Sequence, residues 1–109
     1  MPPFFIFRGN GMKTRVLWSG ESVLMSTGYA VYGREVLQRL HATGKYDIAE
    51  IACFLSEDDK RMYSIPWVVY PTVPSKSDKE RYEEYNRYPH NQFGVHIFNK
   101  ACAHFKPHI

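Results

Sequence analysis

The strongest constraint on the fold is the order of three segments between residues 14 and 54. The apolar run TRVLWSG at 14–20 is typical of a strand buried on both faces, and the loop ESVLMSTG follows it. From Tyr29 onward the apolar residues recur at helical spacing, and Gly44 can end the helix in the left-handed conformation. A second apolar run, YDIAEIACF at 46–54, comes next. This order predicts a β-α-β unit with two parallel strands.

The second half of the chain predicts more elements of the same kind. WVVYP at 67–71 reads as a short third strand that Pro71 stops, and the charged segment 76–88 as a solvated helix or a mobile insertion, with the helix favoured. NQFGVHIFNKACAHF at 91–105 has the apolar stripe of a second core-facing helix. We therefore predict an α/β fold, namely a Rossmann-like, partial doubly wound parallel sheet of about three strands with two or three helices.

Size and charge limit the function classes. The chain has 109 residues, which suits one domain. Its net charge of +3 comes from basic residues dispersed among acidic ones, so we expect no nucleic acid partner. No run approaches the roughly 20 apolar residues of a membrane span. Cys53 and Cys102 lie far from any CxxC spacing, which favours a reducing, cytoplasmic setting.

The regular pattern begins only at Lys13, directly after a second methionine, Met12. We therefore interpret residues 1–12 as a leader or non-native extension of the start, and 13–109 as the domain. The true start is Met1 or Met12.

The loop before the first helix is the main candidate site. The first N–H groups of a helix lack internal partners, so Ser26, Thr27 and Gly28 can cap the helix or seat an anion, with Gly28 allowing close approach. Ordinary helix capping is the alternative explanation. No lysine follows at Walker-loop spacing, and the glycines do not fit GxGxxG.

The run TRVLWSGESVLMSTGYAVYGREVLQRLHATGKYDIAEIA resembles the opening of retaining glycosyltransferases of the two-domain GT-B type, the group 1 (family 4) class. NQFG before a helix and FKPHI at 105–109 are similar to later pieces of the same family in the same order. FKPHI departs from the family at His108, where aspartate is usual. The resemblance covers about residues 13–109, the first half of the first domain.

The resemblance implies two groups of site residues. One, near the sugar-nucleotide diphosphate, comprises Ser26, Thr27, Gly28 and Tyr29. The other, a possible acceptor-side loop, comprises Asn91, Gln92, Phe93 and Gly94. The family's C-terminal donor-binding domain and later catalytic segment have no counterpart here, so the chain is expected to be a truncated domain, inactive alone. No catalytic residue and no cofactor is assigned, and a nucleotide sugar would be a substrate.

Other residue clusters have simpler explanations. His104 and His108 are four apart, but Pro107 breaks the helix that would align them, so no metal site is expected. The glutamates of ERYEEYNRY at 80–88 are typical of a solvated helix face.

The sequence leaves three functional possibilities and predicts two kinds of partner. The chain is a glycosyltransferase fragment, with a separate C-terminal glycosyltransferase chain as a possible partner, or a stand-alone Rossmann-like binding or interaction module without catalysis. A third possibility is a fragment with no present function. The strand after FKPHI would lie beside the first strand, so the open sheet edge predicts a homodimer.

Overall fold

The computed structural model describes residues 13–109, and the predicted leader 1–12 lies outside them. The α/β class is confirmed, with three parallel strands and three α-helices. In chain order the elements are β1 Thr14–Glu21, α1 Gly28–Ala42, β2 Tyr46–Ser56, β3 Val68–Val73, α2 Lys79–Arg87 and α3 Val95–Phe105. Short 3₁₀ turns at Lys60–Ser64 and Pro89–Phe93 precede β3 and α3.

The sheet has the order β1-β2-β3, with β2 in the centre. Residues 48–53 of β2 are all buried, whereas no residue of β1 is buried and Ser19 is exposed. The prediction that the first strand is buried on both faces is therefore wrong. The central position gives that burial to β2, because β1 has a paired strand along its full length on one side only.

The two faces of the sheet carry different helices. On one face, Leu37 of α1 packs with Val23 and Ile48, and Trp18 lies partly buried against them. Side chains alternate along a strand, so Ile51 belongs to the opposite face. Gly94, which immediately precedes α3, lies against Ile51 there, and α3 contacts β1 and β2. Helices on both faces are the layering of a doubly wound sheet.

The C-terminal residues lie at the edge of β1 that β2 does not use. The Ile109 amide donates to the Arg15 carbonyl at 3.2 Å, and the Leu17 amide donates to the Ile109 carbonyl at 2.9 Å. This pair of bonds is the parallel ladder pattern. Residues 107–109 thus begin to pair beside β1, at the edge where we expected the strand that follows FKPHI, and the direction of strand order reverses at β1.

Two element boundaries and the burial of one helix differ from prediction. β3 does not stop at Pro71 but continues to Val73, because proline is tolerated on an edge strand. The second core-facing helix begins at Val95, because Gly94 adopts φ +84° and separates it from the preceding 3₁₀ turn. Only Ala101 of α3 is buried, and Phe98 is 48% exposed, so the predicted stripe covers less of the core than its spacing suggests.

The charged segment after β3 forms the helix α2, which confirms the favoured alternative. Asp78 caps it by accepting from the Arg81 amide. The Arg81 guanidinium also donates to both oxygens of Glu57, at 2.6 and 2.8 Å, and so joins α2 to the segment after β2. Glu57 has a lowered pKa, mainly because of these bonds.

Candidate functional site

The candidate loop connects the carboxyl end of β1 to the start of α1. Its first half is held by backbone bonds: the Ser22 amide donates to the Cys53 carbonyl at 3.0 Å, and the Met25 amide donates to the Ser22 carbonyl at 3.0 Å. Ser22 and Val23 are buried. The second half, residues 26–29, is exposed to solvent. The predicted site residues 26–29 therefore lie exposed next to a hydrogen-bonded, buried segment of the same loop.

Thr27 is the N-cap of α1. Its hydroxyl oxygen accepts from the Ala30 amide at 3.1 Å and its hydroxyl donates to the Glu21 carboxylate. This is the capping role that the alternative explanation assigns to it. The amides of Gly28 and Tyr29 have no acceptor among residues 13–109 and lie at the positive end of the helix.

Gly28 has an ordinary backbone conformation. Its φ is not among the positive values of the described residues, and a Cβ built on it meets nothing within 4 Å. The fold therefore does not require glycine at this position. Only a ligand close to the backbone would require it.

An open concavity at this loop is lined by Glu21, Thr27, Gly28, Tyr29 and Tyr32. Tyr29 is 80% exposed and Tyr32 67% exposed. These residues offer two unpaired amides, a carboxylate that can accept from hydroxyl groups, and two aromatic rings on which a flat ring can stack. No Lys or Arg is among them, and Glu21 opposes an anion. The concavity therefore suits a ligand rich in hydroxyl groups better than a dense negative charge.

The second predicted group, residues 91–94, has mixed roles. Asn91 is buried, and its side-chain amide donates to the carbonyls of Glu84 and Tyr85 at 3.3 and 3.4 Å, at the end of α2. Gly94 lies against Ile51. Gln92 lines a concavity beside Phe54, and Phe93 is 60% exposed. Asn91 and Gly94 thus stabilise the turn, while Gln92 and Phe93 remain accessible.

The two predicted groups lie on opposite sides of the sheet. The first precedes α1, which covers the face of Ile48, and the second precedes α3, which covers the face of Ile51. Thr27, Gly28 and Tyr29 line one concavity, whereas Gln92 lines a second and Phe93 and Gly94 a third. The structure therefore does not bring the two groups together into one continuous pocket of the described residues.

Sequence reasoning missed Glu50. This residue is fully buried in β2, and its two carboxylate oxygens accept from the Val23 amide at 2.9 Å and from the Trp67 indole N–H at 3.0 Å. Burial raises its pKa above the ordinary glutamate value, and the two hydrogen bonds act in the opposite direction. A single acidic residue inside the apolar run YDIAEIACF was the signal in the sequence.

The described residues contain no group of three His, Cys, Asp or Glu side chains placed to hold a metal ion. His104 and His108 have separate partners. The His104 ring nitrogen Nδ1 pairs with the Tyr70 hydroxyl at 2.7 Å, and His108 Nδ1 accepts from the Arg15 amide at 2.9 Å.

Comparison with protein-family models, curated proteins and solved structures found no match to this chain. Within residues 13–109, none of the helices has the length and apolar character needed to cross a membrane.

Proposed function

We propose that residues 13–109 form the first half of the N-terminal domain of a retaining GT-B glycosyltransferase, and that Ser26–Tyr29 faces the sugar-nucleotide substrate. One observation carries this proposal. Residues 107–109 pair with the edge of β1 opposite β2, so the strand order reverses at β1, and the candidate loop follows the carboxyl end of that strand. In open parallel sheets, ligands bind at this switch point.

The substrate class rests on the resemblance of the first 40 or so residues of the domain, and the loop chemistry supports it. The Gly28 and Tyr29 amides can donate to a phosphate oxygen, and Glu21 can accept from sugar hydroxyls. Glu21 opposes negative charge, and no basic side chain of residues 13–109 lines the concavity, so affinity should be about millimolar, equivalent to roughly 4 kcal/mol. The remaining donor contacts would come from a separate C-terminal domain or chain.

The test is protein-observed NMR with UDP, GDP and ADP sugars. We expect shift changes centred on the Gly28 and Tyr29 amides. Gly28→Val should abolish them without unfolding the protein, because a Cβ there meets no protein atom within 4 Å. Gly44→Ala, at the other end of α1, is the matched control and should keep them. Shift changes centred on another face, or an unaltered response in Gly28→Val, would overturn the proposal.

The second candidate function is a stand-alone binding or interaction module without catalysis. It is favoured by exposed apolar side chains around the start of α3, where Phe93, Val95 and Phe98 are 60%, 57% and 48% exposed. A module that binds a protein partner predicts no shift change with any nucleotide sugar, so the same titration separates that form of the candidate from the first proposal.

We also propose a homodimer joined along β1. On the edge beyond Leu17, the peptide groups of Ser19 and Glu21 have no partner among the described residues, and an unpaired edge can recruit a second copy across a twofold axis. Light scattering coupled to size exclusion should give a dimer for residues 1–109. Ser19→Pro, which removes one edge amide, should give a monomer. A wild-type monomer at high micromolar concentration would contradict this arrangement.

We also propose that the protein is located in the cytoplasm. Both cysteines, Cys53 and Cys102, are unpaired thiols, as expected in a reducing compartment. Mass spectrometry after thiol alkylation of native protein should find both reduced.

A further inference from the structure

Glu50 binds the candidate loop from the central strand of the sheet, through the Val23 amide. It lies on the central strand, fully buried, where an ionised carboxylate is costly unless its oxygens are paired. One of its oxygens accepts from the Val23 amide, three residues before Ser26, and the other from the indole of Trp67. A buried carboxyl group thus connects the loop after β1 with the segment before β3.

The carbonyl of the same loop residue, Val23, is also bound by a side chain. Arg34 of α1 donates from its guanidinium to the Val23 carbonyl at 2.8 Å. The amide and the carbonyl of Val23 are therefore bound by two side chains, Glu50 on a strand and Arg34 on a helix. These two contacts, the Val23 clamp, join the loop to β2 and to α1 and so hold the path of the chain that leads to Ser26–Tyr29.

The clamp depends on the charge of Glu50. An ionised carboxylate offers only acceptors, which suits two N–H donors, whereas a protonated one carries a donor and can satisfy both only by turning its hydroxyl away. Cys53 on β2 lies within electrostatic range of Glu50 and of Glu21 on β1. Arg34 of α1 binds the Val23 carbonyl, and His41 of α1 packs against Trp67. Burial opposes the ionised form of Glu50, and the hydrogen bonds from Trp67 and Val23 favour it.

We propose that Glu50 is a positioning residue for the Ser26–Tyr29 loop, and that its charge state sets how firmly this loop is held for a ligand. The ligand part rests on the proposed function. The coupling of Glu50 to the loop does not, and it can be measured without any ligand.

The first experiment follows backbone amide shifts and hydrogen exchange of the wild-type protein against pH. The amides from Val23 to Tyr29 should titrate together with one midpoint, and protonation should raise exchange of the Val23 amide by about tenfold or more, as expected for loss of a bond to a charged group. Titration confined to Val23 would reflect the single hydrogen bond and would overturn the positioning role. Loop amides that do not respond to pH would also overturn it.

Three variants assign the titration to its group. Glu50→Gln should abolish it, while His41→Gln, which removes the nearby imidazole, should leave it in place. Trp67→Phe should move the midpoint upward, because it removes a hydrogen bond that favours the ionised carboxylate. If Glu50→Gln does not fold, the upward shift in Trp67→Phe still identifies Glu50. An unchanged midpoint in Trp67→Phe would count against it.

The second experiment adds UDP-glucose as the probe. Wild-type affinity should fall about tenfold as pH drops through the loop midpoint, and Glu50→Gln should lose that dependence. An affinity for UDP-glucose that does not change as pH passes through the loop midpoint would overturn the ligand part of the inference. A loop that titrates in a protein that binds no nucleotide sugar at any pH would instead defeat the proposed function and leave the positioning role standing.

Discussion

Replacing Gly94 by alanine tests whether the turn before α3 is set by packing on the sheet. Gly94 has φ +84°, and a Cβ added there would lie 2.7 Å from Cγ2 of Ile51 and 3.5 Å from Cγ2 of Thr72. The left-handed conformation costs a non-glycine residue about 1–2 kcal/mol. Overpacking a tight contact adds about 1–3 kcal/mol. We therefore expect Gly94→Ala to lower the free energy of unfolding by about 2–5 kcal/mol.

Two matched variants separate these contributions. Gly44 also has a positive φ, +71°, but a Cβ there meets nothing within 4 Å, so Gly44→Ala should cost only the conformational part, about 1 kcal/mol. Gly28→Ala has neither problem and should change stability by less than about 1 kcal/mol. All three substitutions alter the unfolded chain alike, so the difference between Gly94→Ala and Gly44→Ala isolates the contact with Ile51.

Urea unfolding followed by tryptophan fluorescence measures all three variants. At about 4 °C per kcal/mol for a chain of this size, thermal unfolding should place Gly94→Ala roughly 8–20 °C below the wild type. Equal destabilisation of Gly94→Ala and Gly44→Ala would refute the argument. It would show that α3 can shift away from β2 at little cost.

The remaining predictions concern charge and capping. Burial raises the pKa of Glu50, so the wild-type protein should gain stability relative to Glu50→Gln as pH falls from neutral through the folded pKa towards the ordinary glutamate value. Urea unfolding across that pH range measures the difference. A relative loss of stability would mean that the hydrogen bonds outweigh burial. Thr27→Ala should cost about 1 kcal/mol in thermal unfolding and Thr27→Ser much less, since serine keeps the capping oxygen; equal losses would exclude the cap. Arg81→Met should cost at most about 1 kcal/mol after solvent screening, with the difference from wild type shrinking in high salt; a salt-independent loss would point to packing of its stem instead.

The order of elements was predictable because it depends on local signals. The periodicity after Tyr29 and the glycine at 44 indicate α1 within about one turn, and the apolar run at 46–54 indicates β2. The Ser-Thr-Gly start of α1 was also visible, since a hydroxyl residue before a helix acts over three residues. These signals involve neighbours in the chain, so no tertiary information is needed to read them.

Tertiary structure alone decided which strand is buried and what supports the loop. The burial of β2 rather than β1 follows from its central place in the sheet, which no single segment encodes. Glu50 meets Val23 and Trp67 across separations of 27 and 17 residues. Position 94 requires glycine because a Cβ there would collide with the Ile51 side chain. The sequence by itself thus determined the elements and the capped loop, while the long-range register of the strands determined which side chains hold that loop, because such contacts exist only once the sheet has formed.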